Sequence, residues 1–283
     1  IPITANCICP KLELVPSSFK FKEAFIGYKY KHEVNIKNSF PYPAKYEIVP
    51  QDAESKKLGI IESDRNSGLV GPNSDTKLNL FFTSQSIGLL SVDCFFRVFG
   101  SDDPPMKFTF NANSIGPQIS LSSTNISYGS IPVLVSKTTE LNITNNSLID
   151  ANFKCHIESS TGGFDISPQE GTILPKSSIP ISITVFMNDI ITFSGNLKLC
   201  FDYLNPISIS LKAQGTGSPI VSSIDMKCID FGYVLTEQPA IKKFEMENKA
   251  NRPFEIRFTP NKVQTPNNQK SDFVFTIDPE HIV

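Results

Sequence analysis

An interval of seventeen residues recurs three times along the chain, each time leading from an aromatic residue to an asparagine that closes an alternating apolar stretch. The copies run from Phe21 to Asn38, Tyr128 to Asn145 and Phe231 to Asn248. The register persists behind each asparagine: Ala44, Ala151 and Phe254 lie six residues on, and Tyr46, Phe153 and Ile256 lie eight on. Successive copies start 107 and then 103 residues apart, far above the periods of roughly 20 to 50 residues that build solenoids. Each copy is therefore a domain-sized bead. The 283 residues divide into module 1 over 10–116, module 2 over 117–217 and an incomplete module 3 over 218–283, with 1–9 read as the last strand of a preceding module.

Module 2 shows its elements most plainly. Ile126 and Tyr128, Leu141 and Ile143, Phe153 to Ile157, Ile181 to Val185, Leu197 to Tyr203 and Ile207 to Leu211 all alternate at period two, the mark of half-buried strands. Turn formers separate them, among them Asn145-Asn146, Thr161-Gly162-Gly163, Pro175-Lys176-Ser177 and Asn205-Pro206. Seven or so short strands in such a span, with no helical spacing longer than a turn or two, predict an all-β, immunoglobulin-like antiparallel β-sandwich. Module 1 repeats the pattern: Gly68, Val70 and Pro72 answer Gly171, Ile173 and Pro175, and Ala112 and Gly116 answer Ala213 and Gly217. It differs by a longer loop from Asp52 to Asn66.

Both ends fall inside modules. Ile1, Ile3 and Ala5 match Phe108, Phe110 and Ala112, while Phe275, Ile277 and Pro279 match Phe164, Ile166 and Pro168. A lone strand and an unclosed sandwich leave open edges, so the natural protein is expected to be longer. Between modules only Asn113 to Pro117 and Gln214 to Pro219 intervene, too few residues for a flexible tether. At about 3.3 Å per strand residue the segment is expected to form a semi-stiff rod of roughly 100 Å.

Composition constrains the chemistry. With 22 Phe, 7 Tyr and no Trp, the core is built around phenylalanine. A net charge of −2 does not draw the chain onto nucleic acid or a membrane surface. No run nears the roughly 20 apolar residues that span a bilayer, and the start IPITANCICP lacks the basic flank and apolar stretch of a signal peptide. Six cysteines occupy different repeat positions. Cys94 lies six residues after Gly88 and Cys200 five after Gly195, which sets them on opposite faces of equivalent strands and predicts reduced thiols in a cytosolic compartment. Asn125, Asn142 and Asn145 head sequons, as chance allows in a chain rich in Asn, Ser and Thr, and Asn142 lies within a predicted strand.

Nothing assembles a catalyst. His32, His156 and His281, one per module, stand 11, 28 and 50 residues after their anchor aromatics and cannot share a site. Cys7-x-Cys9 places two thiols on one strand face without a second pair to complete a metal site. Gly215-Thr216-Gly217 reads as a junction turn rather than a phosphate cradle. Asp64, Asp102-Asp103 and Glu170 fall in turns, and Lys29-Tyr30-Lys31, Lys56-Lys57 and Lys242-Lys243 are short basic clusters that read as solvated loops and strand edges, with contact to an acidic polymer as the alternative. No catalytic, cofactor-binding or metal-ligating residue is assigned, no cofactor is expected, and the chain is not expected to be an enzyme.

The strings Ile126-Ser127-Tyr128-Gly129-Ser130-Ile131-Pro132-Val133 and Ile229-Asp230-Phe231-Gly232-Tyr233-Val234, with Leu141 to Phe153, Ile166 to Pro175 and Ala213 to Gly217, resemble the ASH domains of the hydin-like family, related to the major sperm protein (MSP) and PapD folds. Module 1 departs from that pattern in having Phe21-Lys22 for Phe-Gly. The resemblance implies a structural scaffold segment of a giant axonemal protein that organises a central-pair projection in motile cilia. It further implies residence in the cytoplasm, cytoskeleton and cilium axoneme, partners among other central-apparatus proteins and microtubules, and no nucleic acid or membrane partner. The alternative is a cytosolic peptide-binding adaptor of the major sperm protein/VAP type.

Overall fold

The structure is a computed structural model that describes residues 3–4, 9–160, 163–235, 238–258, 276–279 and 281–282. In chain order the first module contributes β1 (Leu12–Val15), β2 (Ser18–Phe25), β3 (Lys29–Asn38), β4 (Ala44–Val49), α1 (Ala53–Leu58), β5 (Gly59–Ser63), β6 (Ser67–Val70), β7 (Ser74–Ser84), β8 (Gly88–Val98) and β9 (Met106–Ile115). The second contributes β10 (Ile119–Leu121), β11 (Asn125–Pro132), β12 (Ser136–Asn145), β13 (Ala151–Ser160), β14 (Phe164–Ser167), β15 (Glu170–Ile173), β16 (Ser178–Phe186), β17 (Thr192–Phe201) and β18 (Ile207–Thr216). Each set folds into a four-stranded and a five-stranded sheet, ordered β1-β3-β7-β5 and β2-β9-β8-β4-β6 in the first, and β10-β12-β16-β14 and β11-β18-β17-β13-β15 in the second.

Alternation decides which side chains lie between the sheets. Along β7, Leu78, Leu80 and Phe82 are fully buried while Asn79 and Phe81 between them lie half-covered. The result is two separate cores. One gathers buried residues from Leu12 to Ala112 and the other from Ile126 to Ala213, with no residue in common. At about 25 cal/mol per Å² of apolar surface removed from water, each is a substantial source of stability in its own right.

Three features differ from the sequence reading. First, the sandwiches are not purely antiparallel: β2 runs parallel to β9, and β11 parallel to β18. The opening stretch of each module is split, its first part pairing with β3 or β12 and its second crossing to the other sheet. Second, Asp52–Asn66 is not a loop: Asp52 caps α1, its Oδ1 accepting the Ser55 N–H at 2.6 Å, and β5 follows directly. Third, Gly88 and Gly195 are not equivalent. Gly88 faces Ser114, whereas Gly195 faces Leu211, the counterpart of Phe110. Cys94 and Cys200 nonetheless point in opposite senses, Cys94 being 2% exposed and Cys200 half-buried.

Beyond residue 217 the described chain forms two small antiparallel pairs, β19 (Ile220–Ser222) with β20 (Met246–Asn248) and β21 (Ile256–Arg257) with β22 (His281–Ile282). Residues 259–275 lie outside the described residues, as does most of the 1–9 strand, including Cys7.

Candidate functional site, the staples and joints of the array

The recurring asparagine is a staple. Asn145 is fully buried at the end of β12, and its Nδ2 donates to the carbonyls of Ile149 at 2.7 Å, Ile173 at 2.9 Å and Leu174 at 3.3 Å. Its Oδ1 accepts the Ser147 N–H at 3.0 Å. Asn38 repeats this arrangement, donating to Tyr42 O at 2.7 Å, Val70 O at 3.3 Å and Gly71 O at 2.9 Å and accepting Phe40 N–H at 3.0 Å. One amide thus fixes the end of a strand in one sheet to an edge strand of the other sheet and to its own following turn. Asn248 makes the local half of the pattern, to Arg252 O at 2.8 Å and from Ala250 N–H at 3.0 Å, but is exposed. Of the sequons, Asn145 is thus buried with its amide engaged, while Asn142 faces outward on β12.

The anchor aromatic at the other end of the interval sits where β2 and β11 slip register against their parallel partners, at Phe21/Ala24 and Ser127/Ser130. The Tyr128 hydroxyl donates to Ile183 O at 2.6 Å across the core, and burial raises its pKa. Gly129, the next residue, has φ +67 and Gly232 has φ +66, a left-handed conformation that explains the Phe/Tyr-Gly pair. Lys22 stands at that position in the first module, outside the left-handed region.

The joints are short and tight. Three residues separate β9 from β10, and three separate β18 from β19. At the first joint Gly116 is buried against Tyr203, where a Cβ would come within 2.9 Å of the tyrosine Cβ and carbonyl oxygen. The Gln118 amide also reaches Glu23 Oε2 at 3.3 Å. Just before the second joint, within the second sandwich, a Cβ on Gly215 at the end of β18 would fall 2.2 Å from Asp189 O, so only glycine fits. Asp189, with 8% of its side chain exposed, accepts the Arg252 Nε–H at 3.0 Å, and Asn188 Nδ2 lies 3.3 Å from Asn251 Oδ1. The turn after the Asn248 staple is thereby held on the second sandwich by an ion pair whose carboxylate is buried and whose guanidinium is half exposed.

The other sequence candidates remain apart. His32 packs at 3.9 Å between ring centroids on Phe19, its Nε2 buried without a partner and its pKa lowered by burial. His156 is exposed on β13, and His281 lies in β22. Lys29 pairs with Glu62, Lys57 with Glu54 at 2.6 Å, and Lys242 donates to Asp230 O at 2.7 Å. Burial pushes the Cys94 thiol up to about 12 and that of Cys155 up to about 11, the opposite of an activated nucleophile. Among the described residues all five cysteines are free, and no three His, Cys, Asp or Glu side chains gather to hold a metal ion. No described helix is long and apolar enough to cross a membrane.

Residues 117–216 match the model of the HYDIN/CFA65/VesB-like, Ig-like domain. The chain is 29% identical over 251 residues to the hydrocephalus-inducing protein of Mus musculus, an alignment covering 88% of this chain and 5% of the mouse protein. It is 31% identical over 220 residues to the hydrocephalus-inducing protein homolog of Homo sapiens, covering 78% of this chain and 4% of the human protein. Among solved structures, the ASH / PapD-like domain 7 of human CEP192 aligns with 35% of this chain and 86% of that domain's chain at 11% identity, with a TM-score of 0.33. The chain thus spans about a twentieth of the length of the curated relatives it matches. The second sandwich, with its Tyr128-Gly129 opening and its Asn145 staple, is a HYDIN/CFA65/VesB-like Ig domain, and the chain as a whole is hydin-like.

Proposed function

We propose that this chain is a structural scaffold segment of a giant axonemal protein that organises a projection of the central pair in motile cilia. The observation that carries the reading is the joint. Gly116 presses against Tyr203 of the next sandwich without room for a Cβ, and Asp189 and Arg252 pin the second link. Successive sandwiches so joined transmit position along the array, which is what a scaffold requires. The two hydrocephalus-inducing relatives, each some twenty times the aligned length, fit a long series of such beads. In this reading the partners are other central-apparatus proteins and microtubules, the location is the cytoskeleton of the axoneme within the cytoplasm, and the chain has no enzymatic role. Cryo-electron tomography of motile axonemes carrying a density tag fused next to this segment tests it. Tag density on a central-pair projection is the expected result, and a tagged protein absent from the axoneme would refute the proposal.

A further inference from the structure

The two joints can be compared residue by residue. Leu80 on β7 faces His32 as Ile183 on β16 faces Thr139, and His32 and Thr139 each stand six residues before a staple asparagine. Gln85 and Ser86, five and six residues past Leu80, therefore occupy the places of Asn188 and Asp189. Across the joint, Ile149 and Arg252 each lie four residues after a staple and give it their carbonyl, so Leu148 and Ile149 occupy the places of Asn251 and Arg252. Two polar pairs cross the second joint, Asn188 with Asn251 and Asp189 with Arg252. At the first joint the same positions hold glutamine with leucine and serine with isoleucine, and neither couple can pair through its side chains. The Phe254 ring, 4.8 Å from the Arg252 guanidinium, is likewise replaced by Ala151. Ser86 Oγ is left buried without a partner.

Where the latch is missing, the sandwiches stand apart. Gln85, Leu148 and Ile149 line an open cleft of about 490 Å³ between them, and the hydrogen bond that crosses this joint, Gln118 Nε2 to Glu23 Oε2 at 3.3 Å, links exposed side chains. Domains that share no large apolar interface move relative to one another unless something ties them. The ties that do exist locate the pivot. Ile115 O accepts the Ile26 N–H at 3.0 Å and so belongs to the first sandwich, whereas Gly116 is pressed on Tyr203 of the second. We propose that the first joint is a hinge at Ile115–Gly116 that opens and closes the cleft, and that the Asp189–Arg252 latch holds the second joint fixed. Whether a joint bends is then set by the residue in the β7–β8 or β16–β17 turn and by the fourth residue after the facing staple. The inference rests on the joints alone and not on the axonemal reading, so either can fail without the other.

The test uses the 283-residue chain with nitroxides attached to introduced p-acetylphenylalanine, which spares the native cysteines, and reads distance distributions by double electron–electron resonance. Labels at Ser91 and Ser208 span the first joint, labels at Ser136 and Ser208 lie within the second sandwich, and labels at Ser208 and Glu247 span the second joint; all four positions are exposed. The distribution across the first joint is expected to be about twice as broad as the one within the sandwich. Ser86→Asp with Ile149→Arg, which installs the latch, should narrow it by about a third, while each substitution alone leaves it broad. Gln85→Asn with Leu148→Asn, at exposed positions that spare both cores, should narrow it by a smaller amount. Arg252→Met should broaden the distribution across the second joint about twofold. A first joint as narrow as the within-sandwich control, a double latch variant no narrower than its single parents, or no broadening by Arg252→Met would overturn the proposal.

Discussion

The two complete sandwiches are stapled alike and filled differently. Asn38 and Asn145 each hold three carbonyls, and Gly68 and Gly171 each lie beneath an aromatic ring, that of Tyr46 or Phe153. Yet Phe82, Phe108 and Phe110 of the first core stand where Val185, Ile209 and Leu211 stand in the second. The difference separates two kinds of constraint. An amide with three acceptors, or a backbone approached by a ring, has one solution. Core volume has many, provided that the total is conserved.

The comparison breaks most severely if the staples are unequal. Asn145→Ala and Asn38→Ala leave buried carbonyls without a donor and should each cost about 3 kcal/mol, read by urea unfolding, because one unsatisfied buried group costs about 1–3 kcal/mol. Asn248→Ala, at an exposed position with only local bonds, should cost less than about 1 kcal/mol on the same scale. Next come the glycines. A Cβ on Gly171 would meet the Phe153 ring at 3.0 Å and one on Gly68 the Tyr46 hydroxyl at 2.8 Å, so Gly171→Ala and Gly68→Ala should each destabilise by about 1–3 kcal/mol. Tyr46→Phe alone should be neutral or stabilising, since the Tyr46 hydroxyl is buried without a partner, but it should not rescue Gly68→Ala, whose Cβ also meets the ring carbon Cε1 at 2.9 Å. Tyr128→Phe, by contrast, removes a hydroxyl bonded to Ile183 O and should cost about 1 kcal/mol.

The smallest expected effect depends on pH and distinguishes the modules. Burial holds the His32 pKa below its ordinary value, so the native state resists a proton that the unfolded chain accepts below about 6.5. The stability that His32 contributes is present above that pH and is lost as the pH falls toward the folded-state value. Acid titration followed by thermal melting should weaken the first sandwich before the second, whose only histidine, His156, is exposed. His32→Phe should remove the difference.

Much of this was legible in the residues and some was not. Period-two alternation located the strands because burial itself has that period, and the staple asparagine was visible because it repeats. Its role was hidden: its acceptors Ile173 and Leu174 lie 28 and 29 residues on and are backbone groups. Asp52–Asn66 read as a loop because a six-residue helix with no buried residue has no apolar stripe. That insertion changes the spacing between modules from 107 to 103, which concealed the correspondence of Ser86 with Asp189 and with it the difference between the joints. The parallel β2–β9 and β11–β18 pairings have no local signature, since the strands that meet are about ninety residues apart.

The central claim is that each bead closes its own core, and residues 117–217 expressed alone test it most directly by far-ultraviolet circular dichroism and urea denaturation. Because no side chain of the first core enters the second, the isolated segment should give a β spectrum and a single cooperative transition. A helical spectrum, or unfolding without a cooperative midpoint, would contradict the account.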